Sequence, residues 1–444
     1  MGHQADPTTE VTGLLQAMIR NQCVNDGTVT SGKEHRSVDV LSDYLHGAGD
    51  REVYEPRPGR QSLVCKLEGS DPDAPTLMLM GHTDVVPVTP DGWSRDPFEG
   101  EVVDGFVWGR GAVDMLNLTA SQAVAFRRLV DGGFKPKGTL VFFAVADEES
   151  QGVWGSDWLL QHERDSVFAD YVITESGGIQ MPTPAGVRLP VLVGEKGTYW
   201  SKIHVHGTPG HGSQPFRTDN AVVTAARVVQ RIADYRPDAQ IHEVWRRFVE
   251  GMHFDPELTH MLLDADTIDD AVGDLPLGVA RTFHACTHTT FAPTVAHGGT
   301  KTNVIPDHVT LEVDIRTLPG QTGADAVAML REALDDLADA VEIESHDDPS
   351  TASPMDTPLW DTLARVSGRL CEGSALVPSL MPGATDNRFF RRAGSVGYGF
   401  GLFSHRIGFD DYARMFHGND EKVDQESLSL STQLWEAVAR DFLC

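Results

Sequence analysis

Apolar residues recur at three- and four-residue spacing from Val11 to Cys23 and again from Val38 to Leu45, which predicts two amphipathic helices at the head of the chain. The pattern then shortens. Ser62 to Leu67, Thr76 to Met80, Leu140 to Val145 and Tyr171 to Ile173 are apolar runs of strand length, with a helical stretch from Leu118 to Val130 among them. Strands alternating with helices predict an α/β unit whose mostly parallel sheet is covered by helices on both faces. From Tyr199 the rhythm changes. Ser201 to His206 alternates, a helix is expected from Asn220 to Ala233, and strands from Thr282 to Thr290 and His308 to Arg316. A helix from Ala324 to Leu337 and a strand from Ala340 to Glu344 close this stretch, and beyond Pro349 the first rhythm returns. Residues 1–197 and 348–444 are therefore expected to form one α/β domain, with residues 198–347 inserted in it as a smaller α+β unit. Helix-like sequence from Ile241 to Val279 enlarges that insert.

Length and composition agree with two domains. A chain of 444 residues exceeds the usual size of one hydrophobic core, and 40% apolar with 23% charged residues is a globular balance. No apolar run reaches the 18 or more residues that a bilayer requires. The start, Met1 to Pro7, lacks the basic and apolar regions of a secretory signal, so a cytoplasmic location is expected. Five cysteines without a Cys-x-x-Cys pair argue against a disulfide framework and against a thiolate metal site. The formal charge of −29 repels phosphate backbones and anionic lipid surfaces, which excludes nucleic acid and membrane as expected partners.

Chemistry concentrates where strands end. Acids and histidines occupy Gly81-His82-Thr83-Asp84, the stretch Gly109 to Met115 containing Asp114, Asp147-Glu148-Glu149, Thr174-Glu175-Ser176, and Phe416-His417 running on to Glu421. In an open α/β sheet, ligands bind at the carboxyl ends of strands. Imidazole and carboxylate are the zinc ligands of choice when thiolates are absent, and His82, Asp114, Glu149, Glu175 and His417 supply the five that two metals sharing a bridging carboxylate require. Any one segment alone reads as a capped turn or a solvated acidic pair. All five in this order point to a dinuclear metal site.

The run His82-Thr83-Asp84-Val85-Val86-Pro87, with Trp93, Asp96-Pro97-Phe98, Trp108-Gly109-Arg110-Gly111 and Asp114-Met115, resembles the signature of the dinuclear zinc exopeptidases and deacylases. That family includes carboxypeptidase G, aminoacylase, acetylornithine deacetylase, succinyl-diaminopimelate desuccinylase and carnosinase, and the resemblance covers essentially the whole chain. It implies that His82 and Glu175 bind one divalent metal ion, Glu149 and His417 another, and that Asp114 bridges them. Zinc is the metal implied, with cobalt or manganese as substitutes. It further implies Glu148 as general base toward water attacking an amide carbonyl, and the Asp84 carboxylate as the group orienting His82.

In the insert, Gly207-Thr208-Pro209-Gly210-His211-Gly212-Ser213 resembles the family's lid and dimerisation unit. The match implies that His211 steadies the oxyanion in a partner's site, so a homodimer is expected, and that Asn303 and Arg316 hold a small substrate by its free carboxylate. An ordinary salt bridge with Asp314 is the other reading of Arg316. Thr385 and Asp386, in Gly383-Ala384-Thr385-Asp386-Asn387, match a loop near the substrate. The paired histidines His204 and His206, and His284 and His288, are expected to be strand or surface residues. Within the family, glutamate at the position of Glu175 goes with deacylases and carboxypeptidases, so the activity implied is cleavage of an N-acyl amino acid or a C-terminal peptide bond. A carnosinase-type dipeptidase is the alternative, and a non-catalytic binding relative the remote one.

Overall fold

The computed structural model describes residues 6–444. Met1 to Ala5, most of the stretch read for a secretory signal, lie outside the described residues. The strand Leu77–His82 is buried along its whole length at the middle of a ten-stranded sheet. Leu77 and Leu79 enter one core and Met78 and Met80 the other, so the strand alternates between two covered faces. Its neighbours Leu140–Val145 and Tyr171–Thr174 run parallel to it, and Val396–Gly399 runs parallel to the latter. Most outer pairs are antiparallel, including Asp50–Arg57 with Arg60–Leu67, whereas Ala375–Met381 runs parallel to Gly186–Glu195. Helices Thr8–Arg20, Leu116–Asp131 and Gln425–Phe442 pack over one face and bury Leu15, Phe126 and Trp435 there.

Gly186–Glu195 leads through Lys196 into Gly197–His206, which belongs to a second, four-stranded antiparallel sheet with Thr290–Gly298, His308–Thr317 and Val341–Asp348. Helices Ala221–Asp234 and Gly323–Leu334 cover it around a separate core containing Ile203, Val228, Leu311 and Leu330.

The expected strand over 282–290 is instead the end of a helix, Leu277–Thr287, and the strand begins at Thr290. Threonines at 282, 287, 289 and 290 carry the strand signal. Phe283 and Cys286, three apart, are buried on one helix face, and tertiary packing overrides the propensity. Four helices fill the stretch 243–287: Glu243–Met252, Pro256–Leu262, Ile268–Gly273 and Leu277–Thr287. They share the core of the ten-stranded sheet through Trp245, Phe248, Leu262 and Phe283, not that of the four-stranded sheet. His284 and His288 thus lie one helical turn apart with stacked rings, and His288 Nε2 is 3.3 Å from an Asp269 carboxylate oxygen. The five cysteines are free, and among the described residues no helix is long and apolar enough to cross a membrane.

Candidate metal centre

Parallel register assembles the centre. His82, the last residue of its strand, is paired with Val145, so the turn that follows Val145 and carries Glu148 and Glu149 stands beside it. Glu175 follows directly on the strand Tyr171–Thr174. Asp114 arrives on the loop before the helix Leu116–Asp131, and His417 on the loop before Lys422–Asp424. Asp147, Gln151, Ser176 and His417, all at this rim, adopt left-handed backbone conformations that non-glycine residues rarely take. Gly152 shares that conformation for a steric reason too, since a Cβ there would lie 2.2 Å from an Asp386 carboxylate oxygen.

Two groups of ligand atoms result, each within 4.8 Å: His82, Asp114 and Glu175 form one, and Asp114, Glu149 and His417 the other. The Asp114 carboxylate stands between the imidazoles, 3.2 Å from Nε2 of His82 through one oxygen and 3.2 Å from Nε2 of His417 through the other. His417 Nε2 is also 3.2 Å from Glu149. Glu148 belongs to neither group, and its carboxylate is 4.0 Å from His82 Nε2.

Support comes from behind. His82 Nδ1 bonds the backbone carbonyl of Asp84 at 2.9 Å, whereas the Asp84 carboxylate is 3.8 Å away. That carboxylate accepts from the amides of Glu148 at 3.3 Å and Glu149 at 3.1 Å, and from Asn25 at 2.8 Å. It fixes the acidic turn, while peptide geometry fixes the imidazole. Glu421, fully buried, does the same for the other side. It accepts from Arg110, from the Gly111, Val113 and Asp114 amides, and so holds the loop that presents Asp114.

The electrostatics suit cations. Burial, then the neighbouring Glu175, pushes the Glu148 carboxyl well above its ordinary range, and burial followed by Asp114 does the same to Glu175 and raises Glu149. Burial disfavours a charged His82, yet Asp114, Glu148 and Glu175 outweigh it and raise its pKa. Asp114 and Glu149 hydrogen bonds lift His417 to about 10. Glu149 Oε1 is buried with no hydrogen-bond partner. Four crowded carboxyl groups, two imidazoles and an orphaned oxygen are a donor set that two divalent ions fit and would neutralise.

The centre opens into a cavity of about 370 Å³ that is also lined by Thr198, Trp200, Arg316 and His346 from the four-stranded sheet and by Gln151 and Arg388. Arg316 is forked onto Asp314 at 2.7 and 3.2 Å and donates to Thr198 at 2.8 Å, which engages three of its five donors. His211 and Asn303 do not line this cavity; they sit together on an exposed two-stranded ribbon formed by Gly210–His211 and Val304–Ile305, where the Gly212 amide donates to the Asn303 carbonyl at 2.8 Å. Thr385 and Asp386 lie behind the wall formed by Gly383 and Ala384, with the Asp386 carboxylate bonded to Ser156 at 2.7 Å and its pKa raised by burial to about 7. Trp200, His346, Arg388 and Asn25 escape the sequence reading because no motif surrounds them. Glu421 closes the segment that begins at His417, so it lies within a motif that does not disclose its supporting role.

The family model described as peptidase family M20/M25/M40 matches residues 78–441. The chain is 27% identical over 384 residues to the N-fatty-acyl-amino acid synthase/hydrolase PM20D1 of Xenopus tropicalis, covering 85% of this chain and 74% of that one. It is 27% identical over 403 residues to aminoacylase-1 of Homo sapiens, covering 88% and 87%. Its fold superposes on an M20 family metallo-carboxypeptidase from Sulfolobus solfataricus with a TM-score of 0.71, at 15% identity and 99% coverage of both chains. The signature from His82 to Met115, the shared-ligand geometry and the family match agree: the chain belongs to peptidase family M20/M25/M40 and is a metal-dependent hydrolase of amide bonds.

Proposed function

We propose that this enzyme hydrolyses the amide bond of an N-acyl amino acid, or the C-terminal peptide bond of a short peptide, with Glu148 as general base. One observation carries the reading: two ligand groups share Asp114, and Glu148 stands against them without belonging to either. His82 and Glu175 would hold one divalent ion, Glu149 and His417 the other, with Asp114 common to both. Zinc suits these imidazole and carboxylate donors, with cobalt or manganese as substitutes. Bound there, the ions supply Lewis acidity toward a carbonyl and lower the pKa of water.

The protein groups do the rest. Glu148 takes a proton from the attacking water and returns it to the departing nitrogen, so water adds across the C–N bond and a carboxylic acid and an amine are released. Arg316, with donors beyond those engaged by Asp314, meets the free carboxylate of the leaving amino acid. The exposed position of His211 and Asn303 supports a homodimer in which this two-stranded ribbon completes the partner's site.

The test is Glu148→Gln. Turnover of N-acyl amino acids should fall by about 10²- to 10⁴-fold while two metals per chain are retained. Loss of one metal equivalent would make Glu148 a ligand and reverse the assignment of the Glu148-Glu149 pair.

A further inference from the structure

Beside the metal centre lies a second cavity, of about 390 Å³, with almost wholly apolar walls. Ile179, Leu192, Val244, Trp245, Phe248 and Phe283 line it, the last four supplied by the helices Glu243–Met252 and Leu277–Thr287. It adjoins the catalytic cavity, since Met381, Gly383 and Phe416 line both. Ser176, the residue after Glu175, is also part of its wall. The polar atoms of its aromatic wall are engaged internally: His242 Nε2 bonds the Cys286 carbonyl at 2.8 Å and Trp245 Nε1 donates to the Leu262 carbonyl at 2.7 Å. Two lining hydroxyls, Ser176 Oγ and Tyr412 Oη, are buried and interact with each other.

We propose that this cavity receives a long, unbranched apolar acyl chain, so that the preferred substrate is a fatty acid joined by its carboxyl group to the nitrogen of an amino acid. The inference rests on the deacylase reading above and extends it to the acyl half. The scissile carbonyl must stand at the metal centre, and from there the molecule has two directions. One side is polar and carries Arg316, Trp200, His346 and Arg388; the other is apolar. The carboxylate and the side chain of the leaving amino acid share one carbon, so a side chain sent into the apolar cavity would draw its carboxylate away from Arg316. An acyl chain has no such conflict: its carbonyl meets the centre, and its methylenes displace water from apolar walls. The helices Glu243–Met252 and Leu277–Thr287 are then the specificity-determining part of the insert.

The experiment is a series of N-acyl derivatives of one amino acid, from acetyl to hexadecanoyl, assayed with the metal-replete native enzyme. kcat/KM should rise about fourfold per added methylene until the cavity is full. Ala413→Trp and Thr282→Trp add bulk at lining positions that are not fully buried, and should lower the ratio of dodecanoyl to acetyl turnover by at least about tenfold. Melting temperature and metal content establish that each variant is folded and loaded. Cleavage of short substrates with no gain from chain length would overturn the inference and leave the deacylase reading standing. So would a chain-length gain that both tryptophan variants leave intact, or rates that follow the apolar size of the amino-acid side chain instead. Failure to cleave any N-acyl amino acid would overturn the reading on which the inference rests.

Discussion

The two walls of the catalytic cleft differ in how much the folded chain has already arranged. On the side of the ten-stranded sheet, His82, Asp114 and Glu175 are buried at strand and loop ends, and Asp84 and Glu421 hold their supporting loops through backbone amides. On the side of the four-stranded sheet, Arg316 is half-buried and shared with Asp314, while His211 and Asn303 are exposed and point to no group of their own cavity. The first wall keeps its like charges close in a desolvated site, which only bound cations make comfortable. The second wall consists of groups whose use depends on substrate, closure or a partner. Preorganisation is thus concentrated where charge must be handled, and adaptability where the substrate is read.

The largest effect that tests this contrast comes from Asp114→Ala beside His211→Ala. Removing the shared carboxylate should strip both metals and take activity to background, since no other residue joins the two ligand groups. His211→Ala should keep both metals and lose about 10²- to 10³-fold in kcat. Mixing the two inactive variants and allowing subunits to exchange should restore a fraction of activity if His211 serves the neighbouring centre. No recovery in verified heterodimers would confine His211 to its own chain.

The same contrast explains what the sequence reveals. Metal-ligand candidates stand out where they close an apolar run, as His82 and Glu175 do, or sit beside a glycine or second acid, as His417 and Glu149 do, and His82-Thr83-Asp84 or Asp147-Glu148-Glu149 is legible without any contact information. The parallel strands that unite them are equally legible from their short apolar runs. What supports them is less so: Glu421 reaches the Asp114 amide across 307 residues, and nothing near either residue announces the pairing. Asp84 shows the finer limit, because a spacing of two residues is compatible with either its carboxylate or its carbonyl meeting His82, and only the turn geometry selects the carbonyl. The helix Leu277–Thr287 is missed since threonine-rich sequence favours a strand locally, while burial of Phe283 and Cys286 against the first core decides otherwise. The apolar cavity follows from that same misread segment, so it lay beyond sequence reasoning altogether.

A smaller effect is expected on the adaptable wall. Arg316→Ala removes a bidentate, partly desolvated contact to the substrate carboxylate and should cost on the order of 2 to 4 kcal/mol in kcat/KM, or roughly 30- to 900-fold. The loss should vanish for the C-terminal amide of the same substrate, because no carboxylate is then present to be read. An equal loss on acid and amide would make Arg316 a brace for Asp314 and Thr198 alone.

The smallest effect concerns the joint between the walls. Lys196 is the single residue between Gly186–Glu195 and Gly197–His206, and its Nζ donates to the His288 carbonyl at 2.7 Å and to Thr290 at 3.2 Å, where the chain crosses back from the helix Leu277–Thr287. It therefore ties the outgoing crossing to the returning one. Burial disfavours its charged form and lowers its pKa from the ordinary 10.5 to about 7. The sign follows from proton counting: between these two values the unfolded chain holds a proton that the folded chain has released, so stability rises with pH across that window. Below the lower value both states are protonated and the cost of burying the charge is fully present. Lys196→Met removes the titration, so the stability of the native enzyme relative to this variant should increase by roughly 2 to 3 kcal/mol from about pH 6 to about pH 9. Paired denaturant titrations at several pH values measure it. A difference that stays flat would mean that the ammonium keeps its proton between the two crossings, with the His288 carbonyl and Thr290 hydroxyl offsetting its desolvation.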